Sequence, residues 1–183
     1  MSKVINASNV SISSSRVLFD SNIWILIEGF CGASQDHRTT VYSGAYKKLL
    51  QNGNTIVVND YVLGEFCNRC TKFEYEVMKE ADAALPHYKV YRKSPEFRWV
   101  MESVRDTCLN ILDGCEYISV GRSDCDMAKA VENFCSGEID FSDIVLAEHC
   151  AKENLHLMTD DGDFHGRGVS IITANRRLIA RAN

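Results

Sequence analysis

Twice in this sequence a short apolar run leads into an acid. Val17-Leu18-Phe19 leads straight into Asp20, and Leu155-His156-Leu157-Met158 leads through Thr159 and Asp160 into Asp161. Thr55-Ile56-Val57-Val58 and Val169-Ser170-Ile171-Ile172 are further runs of the same β-branched, apolar kind. Segments with helical spacing separate them. Strands that alternate with helices imply a parallel sheet covered by helices on both faces. In such a sheet the carboxyl ends of the strands lie along one edge, and ligands bind there.

The punctuation sets the elements. Strands are expected over 16–19, 55–58, 116–120, 155–158 and 169–172. Helices are expected over 22–28, 39–50 (stopped by Asn52-Gly53), from a cap at Asp60 to about 84, and from Ser94-Pro95-Glu96 to about 112. Further helices are expected over 124–134, 142–153 (capped by Ser142 or Asp140) and 174–181. Pro86 and Pro95 bracket a break over 87–94.

Four acids far apart in the sequence fall where one cleft could collect them. Asp20 and Asp161 follow strands, while Glu65 sits in the first part of a helix and Asp143 in the first turn of another. Two carboxylates about 4 Å apart repel by about 4 kcal/mol at an effective dielectric of 20. Such a cluster either takes up protons or binds a cation, and an all-oxygen donor set favours hard divalent ions, Mg²⁺ or Mn²⁺. Such an ion suits phosphodiester hydrolysis, because it acidifies and orients a water and offsets charge on the leaving oxygen. Asn22 and Thr159 are placed to hydrogen-bond these carboxylates and fix their orientation. Asp163 either touches the metal or holds its loop. Asp160 is expected to point away from Asp161, and Asp140 to cap a helix. His149, His156 and His165 are not spaced as a metal triad.

Four segments together resemble PIN-domain nucleases, VapC-like toxins among them. Val17-Leu18-Phe19-Asp20-Ser21-Asn22 resembles the opening hydrophobic-Asp-Thr-Asn motif, with Ser21 where Thr is usual. Glu65 after Tyr61-Val62-Leu63-Gly64 resembles the second acid. Phe141-Ser142-Asp143-Ile144-Val145-Leu146-Ala147 resembles the third motif, and Leu157-Met158-Thr159-Asp160-Asp161-Gly162-Asp163-Phe164 the fourth. The resemblance implies a single three-layer α/β/α domain with a central parallel sheet of about five strands. It also implies Mg²⁺- or Mn²⁺-dependent hydrolysis of RNA, with Asp20, Glu65, Asp143 and Asp161 catalytic. These four and Asp163 would be the metal ligands. An antitoxin protein and a homodimer are the partners it suggests. Glu65 and Asp143 stand further apart than in compact bacterial toxins, so an inserted helical arm is expected over 72–115, within a domain over 16–183 that follows an N-terminal extension over 1–15.

Two other readings compete. The same scaffold could serve as an RNA- or protein-binding module with weak or no catalysis. An Asp after the first strand also suits a metal-dependent phosphatase or phosphotransferase, although those folds want a basic partner and a different motif order.

Composition limits the rest. The chain has 183 residues, 45% of them hydrophobic, which suits one domain with a substantial core. Its formal net charge is −5, so an RNA-binding surface needs local cations. Arg92, Lys93 and Arg98 in the arm, interleaved with Tyr88, Tyr91, Phe97 and Trp99, are one candidate rim. Arg176 and Arg177 near the end are the other. The aromatics read equally well as a buried helix face. No signal-like start or membrane-length apolar run is read, so a cytoplasmic chain without membrane contact is expected. The eight cysteines read as reduced core thiols. Cys67-x-x-Cys70 has a zinc-like spacing but no second pair to complete it.

Overall fold

The computed structural model describes residues 3–33, 36–121 and 123–182. Met1 and Ser2 of the expected extension, and Asn183 at the end of the expected domain, lie outside them. Six strands form one parallel sheet: β1 (Val4–Asn6), β2 (Arg16–Phe19), β3 (Thr55–Val58), β4 (Glu116–Tyr117), β5 (His156–Met158) and β6 (Ser170–Thr173), in the order β1-β6-β5-β2-β3-β4. The strand beyond the expected five is β1. It lies in the segment read as an N-terminal extension and pairs in parallel with β6, Ile5 opposite Ile172. Three residues within a Ser- and Asn-rich stretch carry too little pattern to announce a strand. The neighbouring β6 supplies its hydrogen bonds instead.

Val17, Leu18 and Phe19 are all fully buried although they alternate between faces. Both faces of β2 are therefore covered, as the continuous apolar run implies. The helices are α1 (Ser21–Glu28), α2 (His37–Gln51), α3 (Asp60–Ala81), α4 (Tyr88–Tyr91), α5 (Arg98–Gly114), α6 (Met127–Phe134), α7 (Phe141–Lys152) and α8 (Arg176–Ala182). Among the described residues, no helix is long and apolar enough to cross a membrane.

Several boundaries move for local reasons. Helix α3 is capped by Asn59, whose side chain accepts the Val62 N–H at 2.9 Å, and not by Asp60. Asp60 instead accepts the Tyr117 hydroxyl and the Val120 N–H. Helix α6 begins only after Asp126, which caps it through the Lys129 N–H. Asp140 occupies the cap position of α7 but makes no side-chain capping bond. Within the expected break, His87 and Tyr88 start the one-turn α4.

The segment expected as an arm divides in two. Val104 and Ile111 of α5 belong to the main core. Tyr75, Phe97 and Val100 form a separate small core with Met78, Tyr88 and Tyr91 around it. A third cluster joins α6 to α7 through Cys125, Ala130, Ile139, Ile144 and Val145.

Candidate functional site

Strand order places the site. Connections from β2 lead towards β3 and β4, while β5 leads towards β6, so the topology switches direction between β2 and β5. A crevice opens outside the carboxyl ends at such a point. β2 and β5 are in register, Phe19 opposite Met158. The next residues, Asp20 and Thr159, therefore emerge side by side.

They are bonded to each other. The Thr159 hydroxyl donates to Asp20 Oδ2 at 2.7 Å, and Asn22 Nδ2 donates to the same oxygen at 2.6 Å. Asn22 Nδ2 also reaches Thr159 Oγ1 at 3.1 Å, and Asn22 Oδ1 accepts the Asp160 N–H at 3.2 Å. Thr159 Oγ1 accepts the Asp161 N–H at 3.0 Å. One hydroxyl and one amide thus fix both the Asp20 carboxyl and the backbone turn that carries Asp161.

The other acids act on this pair. Burial pushes the Asp20 carboxyl from 3.8 up to about 6; the Thr159 bond opposes the rise, and Glu65 and Asp161 add to it. Asp143, in the first turn of α7, is pushed from 3.8 to about 7, first by burial and then by Asp20, Asp161, Glu65 and Asp140. Glu65 projects from α3, and Arg69, one helical turn later, stands 3.4 Å from it. Asp20, Glu65, Asp143 and Asp161 therefore share one electrostatic field.

Two expected acids stand apart. Asp163 is exposed, and its N–H donates to Asp161 Oδ1 at 2.9 Å. Asp160 turns away from Asp161: its carboxyl accepts from Arg38 Nη1 at 2.6 Å and from the Tyr42 hydroxyl at 2.5 Å. His149 is fully buried, with Nδ1 3.4 Å from Asp124 Oδ2.

Two clefts flank the acids. One, of about 370 Å³, has Asn22, Asp161, Arg38 and Arg69 on its wall. A shallower one, of about 530 Å³, runs along Glu65, Asn68, Arg69 and Ser142. Arg69 borders both, and the sequence reading did not select it. Its four-residue spacing from Glu65 on one helix face was the available signal. Arg38, which anchors Asp160, had no local signal at all, because the contact spans most of the chain.

The expected cations are spread out. In the arm, Arg92 lies 5.6 Å from the Tyr88 ring centroid and Arg98 pairs with Glu102 at 3.0 Å. Lys93 lines a small groove with both of them. Phe97 is fully buried and Tyr88 half-buried, so of the arm's aromatics Trp99, 56% exposed, offers the most free surface. Arg176 lines a cleft with Arg38 and Asp160, while the Arg177 N–H bonds Asn175.

The donor chemistry fits a hard cation: carboxylate oxygens with one hydroxyl and one amide behind them, and two carboxyls, Asp20 and Asp143, raised first by burial and then by the charge of neighbouring acids. Among the described residues, no three His, Cys, Asp or Glu side chains already converge closely enough to grip one ion. An ion held here would have to draw the acids together.

No family model matches the chain, and no curated protein matches it significantly. Solved structures do match. The structure of VapBC2 from Rickettsia felis bound to a DNA fragment from their promoter is 17% identical, with 86% of this chain and 98% of that chain covered and a TM-score of 0.53. FitAB bound to an IR36 DNA fragment is 12% identical, with 87% and 96% covered and a TM-score of 0.52. At these identities the likeness establishes the fold, the PIN-type α/β fold that the four motifs imply.

Proposed function

We propose that this chain is a Mg²⁺- or Mn²⁺-dependent endoribonuclease and the toxin half of a toxin–antitoxin pair, acting in the cytoplasm. The observation that carries this reading is the common field of Asp20, Glu65, Asp143 and Asp161 at the switch point, seen in the upward push that the other three acids give Asp143. The likeness to VapBC2 and FitAB supports the toxin reading and an antitoxin partner. A homodimer is a further partner that the family resemblance suggests.

Asp20, Asp143 and Asp161 would hold the ion, with Glu65 as a ligand or as the base that orients the attacking water. Asp163 would be a further ligand, on the turn that its N–H bond to Asp161 Oδ1 ties down. When bound, the ion supplies an acidified, oriented water and offsets charge on the leaving oxygen. Thr159 and Asn22 hold the Asp20 carboxyl in one orientation, so that ligand would be fixed while the other acids close towards it. Arg92, Lys93, Arg98, Arg176 and Arg177 would counter the repulsion between an acidic cleft and the RNA backbone.

The test is Asp143→Asn. Cleavage of single-stranded RNA under Mg²⁺ or Mn²⁺ should fall by orders of magnitude while the fold persists. Wild-type cleavage by the variant would overturn the assignment. The competing reading, an RNA- or protein-binding module, draws on the acids not yet converging on one point. It predicts RNA binding that is indifferent to both metal and Asp143→Asn.

A further inference from the structure

Four of the eight cysteines gather along one side of α3. Cys67 and Cys70 both lie on that helix, and a spacing of three residues puts them about 60° apart around its axis. Cys67 Sγ stands 3.4 Å from Cys108 Sγ on α5. Cys70 hydrogen-bonds Cys31, in the turn that follows α1. Among the described residues no three metal-ligating side chains converge, so these thiols stand as two pairs and not as a metal cage. The pairs differ in access. Cys70 is fully buried, whereas Cys67 and Cys108 are both partly exposed.

We propose that Cys67 and Cys108 are a modification site, a dithiol that a low-molecular-weight disulfide oxidises to an intramolecular disulfide tying α3 to α5. The sulfurs already touch, and a disulfide needs them at about 2.05 Å, so modest side-chain rotation closes the gap. Both thiols are partly exposed and either can donate to the other, so either can make the first attack as the thiolate, which is the nucleophile in exchange.

The exchange balances in two steps. One thiol of the pair gives its proton to solvent, and its thiolate attacks one sulfur of the small disulfide, whose S–S bond breaks; a mixed disulfide forms and one small thiolate leaves to take up a proton. The other thiol then gives its proton to solvent and attacks the protein sulfur of the mixed disulfide, and the second small thiolate leaves to take up a proton. The protein loses two hydrogens, and the small disulfide is reduced to two thiols. The new bond closes a loop of 41 residues that contains the distal core of Tyr75, Phe97 and Val100. It also fixes the part of α3 that carries Glu65 against α5.

The test uses the full reduced chain and oxidised glutathione as the probe, so it reads thiol chemistry and does not depend on ribonuclease activity. Intact mass should fall by two hydrogens, and peptide mapping should join Cys67 to Cys108. The melting temperature should rise by roughly 5–10 °C, as expected for closing a loop of this length in a chain of this size. Cys108→Ser and Cys67→Ser should each stop at the first step, with glutathione held on the remaining cysteine of the pair. A map that finds only Cys31 joined to Cys70 overturns the proposal. So does an unchanged mass in fully oxidised glutathione at pH 8, or glutathione held on Cys67 and on Cys108 at once with no bond between them.

Discussion

Thr159 donates its hydroxyl proton to Asp20 Oδ2 across 2.7 Å, and the two residues end neighbouring parallel strands. The same hydroxyl oxygen accepts the Asp161 N–H at 3.0 Å and Asn22 Nδ2 at 3.1 Å. Thr159 is fully buried. Thr159→Val keeps the shape and removes every one of these bonds, leaving buried polar groups unpaired. It should destabilise the chain by about 1–3 kcal/mol. Thr159→Ser keeps the hydroxyl and should cost about 1 kcal/mol or less. Denaturant midpoints of the two variants check this. Equal midpoints for wild type and Thr159→Val would mean that the hydroxyl is not what orients Asp20.

The raised carboxyls predict a pH dependence with a definite sign. Asp20 is held near 6 and Asp143 near 7, against 3.8 for the ordinary side chain. The folded chain therefore keeps protons that the unfolded chain has released, and in chelator this contribution to stability falls as pH rises from about 4 to about 7. It is fully present below pH 4 and fully lost above 7. For Asp20, 4% exposed, the loss at pH 8 is about 3 kcal/mol. Asp20→Asn should accordingly be more stable than wild type at pH 8 and no more stable at pH 4. Unfolding curves of wild type and variant at both pH values check it. A constant difference across that range would refute the shift.

Divalent ions should act on the same carboxyls from the other direction. An ion bound by the folded chain and not by the unfolded one stabilises by mass action, about 2.7 kcal/mol at a hundred times its Kd. Mn²⁺ in the millimolar range should thus raise the melting temperature at pH 7.5, and raise it less at pH 5, where protons compete for Asp20 and Asp143. Asp20→Asn combined with Asp161→Asn should abolish the rise at both pH values. A melting curve of the wild type that stays fixed across the titration would favour the binding-module reading.

Much of this arrangement was legible in the sequence, and the reason is local. Asp20 and Asp161 announce themselves by following apolar runs, and Asn22 and Thr159 lie within two residues of them. Strand register alone then joins the two groups. What stayed hidden depends on residues distant in the chain. The Asp160 carboxyl is taken by Arg38 and Tyr42, and the Tyr42 hydroxyl also accepts the Ala174 N–H at 2.9 Å. Alternation foretold that Asp160 turns away from Asp161, but not what it turns towards. β1 escaped notice because its pairing comes from β6 at the opposite end of the chain. The helix spanning 98–114 was legible from its apolar spacing. Its division between the main core at Val104 and Ile111 and the distal core at Phe97 and Val100 was not.

The distal core bears on how RNA would be held. Tyr75 lies ten residues beyond Glu65 on α3, roughly 15 Å along the helix axis, and the arm's cations gather at that end. Arg176 instead shares a cleft with Arg38 and Asp160, one residue from Asp161 in sequence. Under the proposed nuclease function the two groups should act on different lengths of RNA. Arg176→Ala should weaken binding of short and long single strands alike, lowering the slope of log affinity against log salt by about 0.7 for the one phosphate that is no longer neutralised. Replacing Arg92, Lys93 and Arg98 together by Ala should leave a short oligonucleotide unaffected, because its backbone does not reach the arm. The same triple variant should weaken a longer strand, with a slope reduced by up to about 2. Binding measured by fluorescence anisotropy over a salt series, in EDTA so that no cleavage intervenes, separates these outcomes. An equal loss for both lengths in the triple variant would place the arm against the cleft. No loss for either length would leave those cations as a solvated face and assign the RNA path to Arg176 and its neighbours.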